Sequence, residues 1–216
     1  MTNTRPSIAD KRRTFRSLHA SGCFVIPNPW DVGSARFLQG LGFKALATTS
    51  SGYAWSQGHA DNAITREMAL EHLREIVAAT DVPINADFES GFARDAAGVG
   101  ESVRLAVATG VAGLSIEDST GNPDKPLFDL DEAVQRMRAA RAAIDATGGD
   151  TLLVGRAECY LVGQADLNET IRRLKAYSDA GADVLYAPGV RTPEQIAAVV
   201  AAVAHTRRQR LHRNTP

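Results

Sequence analysis

Short, nearly unbroken apolar stretches alternate along this chain with longer segments whose apolar residues recur every three or four positions. The unbroken stretches fall at 24–27, 45–49, 83–88, 112–116, 152–155 and 183–187. Each has the length and composition of a strand buried on both faces. The periodic segments fall at 8–19, 36–39, 66–79, 98–109, 130–146, 167–180 and 193–203. In 130–146, Ala133, Val134, Met137, Ala140 and Ile144 make one helical stripe. Thr192 before Pro193 reads as a cap followed by a first-turn proline.

Three junctions share one form: Leu41-Gly42-Phe43, Thr109-Gly110-Val111 and Ala180-Gly181-Ala182. Each predicts a helix end, a glycine in the left-handed region and then a buried strand. Strands alternating with helices imply parallel pairing, in a barrel or an open doubly wound sheet. The first strand–helix turn, Asn28-Pro29-Trp30-Asp31-Val32-Gly33, lacks GxGxxG, which argues against a dinucleotide fold. Barrels gather their catalytic groups at strand carboxyl ends. Asp31, Ser50, Ser51, Asp87, Glu89, Glu117, Asp118, Arg156 and Glu158 fall there. The expected fold is therefore α/β, of the (β/α)8 TIM-barrel type, incomplete with about six βα units. One domain over 1–204 and an irregular basic tail over 205–216 complete the expectation.

Charge narrows the partners. A net charge of −1 over 216 residues, with both signs interspersed, gives no long-range pull toward nucleic acid or a membrane. Arg207, Arg208, Arg210 and Arg213 form a short basic cluster without aromatic partners, which reads as a solvated tail. No apolar run approaches the ~20 residues of a membrane span. Two cysteines, Cys23 and Cys159, make no disulfide framework and suit a reducing cytoplasm.

The chemistry concentrates in Asn85-Ala86-Asp87-Phe88-Glu89-Ser90-Gly91, where a buried strand runs into two acids. Alternate strand residues share a face, so Asp87 and Glu89 are expected to point the same way. Two carboxylates held together repel unless a cation lies between them, and oxygen donors suit Mg2+. Glu117 follows another buried strand and reads as an inner acid or a helix-capping one, with Asp118 structural. Arg156 emerges at a strand end, where its planar donors fit a carboxylate or phosphonate, or a salt bridge to Glu158 or Glu117. Cys159 reads as a small buried hydrophobe, His59 as a surface histidine and Asp31 as a helix cap.

Asn28-Pro29-Trp30-Asp31, Thr49-Ser50-Ser51-Gly52-Tyr53, Asn85 to Phe92, Ile116-Glu117-Asp118 and Gly155-Arg156-Ala157-Glu158 occur in the order and spacing of one family. Over residues 10 to 204 the chain resembles the isocitrate lyase/phosphoenolpyruvate mutase superfamily. That resemblance implies a (β/α)8 barrel whose last helix is exchanged between subunits of a homo-oligomer. It also implies Mg2+, with Mn2+ as a substitute, and small carboxylate or phosphonate substrates. Bonds next to the carboxylate (C–C, P–C or C–O) are made or broken through an enolate-like intermediate. By the same resemblance Asp87 is the principal metal ligand, and Glu89 stands where many members carry Asp. Glu117 and Asp61 match outer metal carboxylates, although Asp61 in its polar loop also reads as a solvated acid. Ser51, Gly52 and Tyr53 match the segment that holds the substrate carboxylate, and Arg156 the arginine on substrate oxygens. Ser51, Glu117 and Arg156 are the expected catalytic groups.

Two departures stand out. The lyases carry Lys-Arg-Cys-Gly-His after the Glu-Asp pair, whereas this chain has Ser119-Thr120-Gly121-Asn122-Pro123-Asp124-Lys125-Pro126. Without that Cys, isocitrate or methylisocitrate cleavage is disfavoured. The family's last two strands have no counterpart, so a truncated or frame-shifted inactive barrel is the alternative expectation to a lyase, mutase or hydrolase.

Overall fold

Five short parallel strands, paired strictly in chain order, form a curled sheet with helices on its outside. The structure is a computed structural model that describes residues 5–213, with side chains through Val203. The strands are β1 (Leu46–Ala47), β2 (Ile84–Asp87), β3 (Gly113–Glu117), β4 (Leu152–Arg156) and β5 (Val184–Tyr186). The helices are α1 (Ile8–Leu18), α2 (Val32–Gly40), α3 (Ser50–Ser56), α4 (Arg66–Ala79), α5 (Ala96–Ala108), α6 (Leu130–Ala146), α7 (Leu167–Ala180) and α8 (Pro193–Arg213). This is the curled parallel sheet of an incomplete TIM-type barrel.

The local signals act as their chemistry dictates. Asp31 caps α2 by accepting from the Ser34 amide at 2.6 Å, and Thr192 Oγ1 accepts from the Gln195 amide at 3.2 Å at the start of α8. Gly42, Gly110 and Gly181 take φ of 91°, 92° and 116° after α2, α5 and α7, where a Cβ would be strained.

The sheet packs differently on its two faces. Outward-facing Ile84, Ala86, Leu114, Ile116 and Leu153 join Leu73, Ile76, Val103, Met137, Ile144 and Leu174 of the helices in the main core. The inner face carries Asn85, Asp87, Ser115, Glu117, Val154, Arg156, Val184 and Tyr186, which line a cavity of about 640 Å³. The strands read as apolar on both faces are thus apolar outside and largely polar inside. At the amino ends of the strands, Phe15 of α1 packs on Ala45, Ala112 and Leu152 and closes the floor.

Three expectations need correction. Residues 24–27 are extended but form no strand: the prolines at 27 and 29 have no N–H for a ladder. Pro27 O accepts from the Ala47 amide at 3.1 Å, and the Asn28 side chain donates to Ala47 O at 3.0 Å. There are accordingly five strands rather than six among the described residues. The last helix also runs on to Arg213, through the stretch expected to be irregular from 205, because no Gly or Pro interrupts it before Pro216. The side chains of Arg207, Arg208, Arg210 and Arg213 lie outside the described residues. Among the described residues no helix is long and apolar enough to cross a membrane.

His72 of α4 is 5% exposed, stacks on Tyr53 at 3.9 Å, and its Nε2 has no hydrogen-bond partner. Burial holds its pKa down at about 4, with Asp31 pulling weakly the other way. The unfolded chain takes up this proton near pH 6.5 and the folded one does not. The stability tied to neutral His72 is therefore complete above about pH 6.5. It is lost as pH falls from there through about 4, by on the order of 3 kcal/mol. Melting temperatures of wild type and His72→Leu between pH 7 and 4 should diverge, the variant losing less; parallel curves would contradict this assignment.

Candidate active site

Strand register sets the site. Glu117 pairs with Arg156 across β3 and β4, and Arg156 pairs with Tyr186 across β4 and β5. Asp87 ends β2 opposite Ser115, two residues before Glu117. Alternation along each strand turns Asp87, Glu117, Arg156 and Tyr186 into the barrel interior. All four line the same cavity, with Ser50, Ser51, Asp61, Asn62, Ser119 and Glu158.

Arg156 is the hub. Its Nη1 donates to Asp87 Oδ1 at 3.0 Å and its Nε to Glu158 Oε1 at 2.5 Å, while Glu117 Oε2 lies 3.4 Å from Nε. The guanidinium carbon sits 5.5 Å from the centre of the Tyr186 ring. Nη2 and the second N–H of Nη1 make no hydrogen bond among the described residues. Asp87 is gripped from the other side: Oδ2 accepts from the Ser50 amide at 3.0 Å and the Ser50 hydroxyl at 3.2 Å. The Asp87 amide itself donates to Thr48 Oγ1 at 2.9 Å. Ser50 and Thr48 were not singled out as partners of Asp87; the hydroxyl-rich run Thr48-Thr49-Ser50-Ser51 at the strand end was the available signal.

Glu89 reaches the cluster by a different route from the one expected. Strand β2 ends at Asp87, and Glu89 adopts φ 46°, a left-handed conformation that costs a non-glycine residue energy. Strand alternation therefore does not apply to it. Its side chain lines an adjoining cavity of about 210 Å³ with Asn62, Ser119, Thr120 and Glu117, and Asn62, Glu117 and Ser119 line both spaces. Glu89 Oε1 is buried and has no hydrogen-bond partner.

The remaining residues of the expected site divide. Ser51 lines the main cavity and its hydroxyl lies 3.1 Å from that of Thr49. Asp61 stands exposed at the rim, accepting from the Asn62 amide at 3.0 Å. Gly52 is buried with its amide bonded to Thr49 Oγ1, beneath Trp30, whose indole would lie 2.5 Å from an added Cβ. Tyr53 stacks on His72 and faces away from the main cavity. Cys159 is buried and lines neither space.

Electrostatically the cluster is short of positive charge. Burial pushes Glu117 up to about 9; Arg156 opposes this, and Asp87, Glu158 and Glu89 add to it. Glu89 rises to about 7 through burial, then Asp87 and Asp61. Glu158 is also raised by burial, against the pull of Arg156. The Arg156 guanidinium is held charged by Asp87, Glu117 and Glu158, which outweigh its own burial.

Among the described residues no three Asp, Glu, His or Cys side chains are arranged to hold a metal ion by themselves. The donor chemistry nevertheless fits a hard divalent cation. Mg2+ needs only one or two carboxylates and keeps several waters. Here buried carboxylates outnumber the single guanidinium, and one carboxylate oxygen has no partner.

Comparison with known proteins agrees with this geometry. A family model described as phosphoenolpyruvate phosphomutase matches residues 15–212. A solved lyase/mutase-like protein of Burkholderia cenocepacia J2315 is 50% identical, with a TM-score of 0.89, covering 91% of this chain and 72% of that one. An oxaloacetate decarboxylase of Paraburkholderia xenovorans (strain LB400) is 29% identical over 201 residues, 89% of this chain and 66% of that protein. A phosphonopyruvate hydrolase solved with oxalate and Mg2+ is 26% identical, with a TM-score of 0.80, covering 88% of this chain and 68% of that one. The chain thus spans about two thirds of the length of the decarboxylase.

The raised carboxyls carry a stability signature. A folded pKa of about 9 for Glu117 means the folded state keeps a proton that the unfolded chain releases near 4.5. That contribution is complete below about pH 4.5 and is lost as pH rises through about 9. In EDTA, Glu117→Gln should flatten the fall in melting temperature between pH 5 and 9. An unchanged slope would show that Glu117 is ionised throughout.

Proposed function

Because this chain belongs to the phosphoenolpyruvate phosphomutase family, within the isocitrate lyase/phosphoenolpyruvate mutase superfamily, we propose that it is a Mg2+-dependent enzyme acting on a small 2-oxo or 2-hydroxy acid or phosphonate. The bond made or broken lies next to the substrate carboxylate, and the intermediate is enolate-like. One observation carries the reading: Arg156, pinned by Asp87 and Glu158 beside Glu117, shares a polar cavity with Ser51 and keeps one guanidinium nitrogen free.

Asp87 would hold the metal, with Glu89, Glu117 and Asp61 accepting from its water shell. Bound there, Mg2+ supplies positive charge against the negative charge that develops on the substrate oxygens. Arg156 Nη2 and the Ser51 hydroxyl bind and orient the substrate carboxylate, a role for which a fixed planar donor is well suited. Before the cation binds, Glu117, raised by burial, keeps a proton where the two cavities meet, and it gives that proton up when the metal is taken in. The loop over 119–126 bears no Cys or His and closes on itself: Thr120 N donates to Pro126 O at 3.0 Å, and Ser119 bridges to Leu127. Decarboxylation, hydrolysis or phosphoryl migration therefore fits better than isocitrate-type cleavage.

Turnover of oxaloacetate and phosphonopyruvate with Mg2+ is the direct assay. Asp87→Ala should lower kcat/KM at least ~10²-fold, the scale of losing one preorganised electrostatic partner, and should weaken Mg2+ binding. Arg156→Lys should raise KM about tenfold or more, because a point charge cannot replace the planar fork. Unchanged turnover and Mg2+ binding in Asp87→Ala would refute the reading. Mg2+ affinity, measured calorimetrically, should rise between pH 6 and 9 with proton release, since Glu89 at about 7 and Glu117 at about 9 release their protons to solvent when the cation binds. Affinity independent of pH would exclude these two carboxyls from the metal's surroundings.

A further inference from the structure

Behind the cavity lies a buried polar network for which the proposed reaction has no direct use. Asp118 follows Glu117 directly, and its carboxylate reaches α7 outside the barrel while Glu117 lines the cavity. It is 2% exposed. Its Oδ2 accepts from the Tyr177 hydroxyl at 2.5 Å and from Arg173 Nη1 at 3.1 Å, both on α7. Its Oδ1 accepts from the Glu158 amide at 2.8 Å, across the gap between the ends of β3 and β4.

That last bond sits at a fork in the main chain. The Ala157 amide continues the ladder toward β5, donating to Tyr186 O at 2.9 Å. One residue on, the Glu158 amide turns back toward β3 and is taken by Asp118. Glu158 O then accepts from the Leu161 and Val162 amides at 2.8 and 3.1 Å. Asp118 is therefore the group that fixes where Glu158 leaves the sheet, and Glu158 is the group that holds Arg156 Nε. Asp118 is held in turn by α7, where Arg173 also donates to Glu169 at 2.7 Å and to Phe128 O at 3.0 Å.

We infer that Asp118 is a positioning residue of this site: it fixes the Glu158 main chain, Glu158 fixes the Nε edge of Arg156, and Arg156 is left with one edge for the substrate. The inference rests on the reading of Arg156 as the substrate-holding arginine. A role confined to packing would place Asp118 in the stability of the β3–α7 contact alone. A positioning role makes its effect on Arg156 travel through Glu158.

The test reads Arg156 with and without ligand. In the full chain, the Nε–H resonance of Arg156 is identified by its loss in Arg156→Lys, and its solvent exchange is measured without ligand. Oxalate affinity is measured separately in the presence of Mg2+. Asp118→Ala and Glu158→Ala should each speed Nε–H exchange and weaken oxalate about tenfold, the scale of one lost charge-assisted hydrogen bond. The double variant should be no worse than Glu158→Ala, because both act along one path. Additive effects in the double variant, or wild-type exchange in Asp118→Ala, would overturn the inference. Should Asp118→Ala not fold, Asp118→Glu keeps the charge facing α7 but displaces the acceptor from the Glu158 amide. It should speed exchange several-fold in the wild-type background and not in Glu158→Ala; the same acceleration in both backgrounds would overturn the inference. If wild type exchanges as expected but does not bind oxalate, the functional reading fails while the coupling to Arg156 is still decided by exchange.

Discussion

A single guanidinium among buried carboxylates is the constraint on which this structure turns. Asp87, Glu117 and Glu158 each approach Arg156 within 3.4 Å, and Glu89 adds a further acid behind Glu117. Bringing so many like charges together out of water is unfavourable unless positive charge compensates. The fold holds these groups together by strand pairing and by packing on the outer face. β2, β3 and β4 pair in a register that puts the acids and the arginine in one ring. Helices α4 to α7 press on the apolar outer face, and Phe15 of α1 closes the opposite end.

Much of this frame was legible in the amino-acid pattern. Helices at 66–79, 130–146 and 167–180 agree to the residue with α4, α6 and α7: all three carry an apolar stripe, Thr65 and Asp166 cap α4 and α7, and Gly181 ends α7. Of the residues expected at strand ends, Ser50, Ser51, Asp87, Glu117, Arg156 and Glu158 line one cavity and Glu89 the adjoining one, whereas Asp31 and Asp118 line neither. Where the pattern misled, backbone chemistry overrode composition. Residues 24–27 look like a strand, but Pro27, and Pro29 just beyond, have no N–H to continue a ladder. Helix α3 was not anticipated, since Ser-Ser-Gly-Tyr-Ala-Trp-Ser shows no helical stripe and owes its start to the Thr49 cap.

Site details were readable only as far as side-chain direction was. Glu89 enters the cluster through a left-handed turn that no alternation rule describes. Tyr53 is drawn onto His72 by stacking, and Gly52 is taken up by the Trp30 indole, so of Ser51, Gly52 and Tyr53 only Ser51 reaches the cavity. Asp118, read as structural, proves to be joined to Glu158 across two strand ends, a contact between residues forty apart that sequence spacing does not reveal. Family membership and the curled parallel sheet agree with each other, and the proposed chemistry rests on the groups around Arg156.

The central claim is that this acidic ring is built around a divalent cation. Anomalous diffraction from crystals soaked in Mn2+ at neutral pH addresses it most directly. The account predicts one strong peak within bonding distance of Asp87 and water-mediated reach of Glu117. A cavity mouth without a peak, or manganese bound only at surface carboxylates elsewhere, would contradict it.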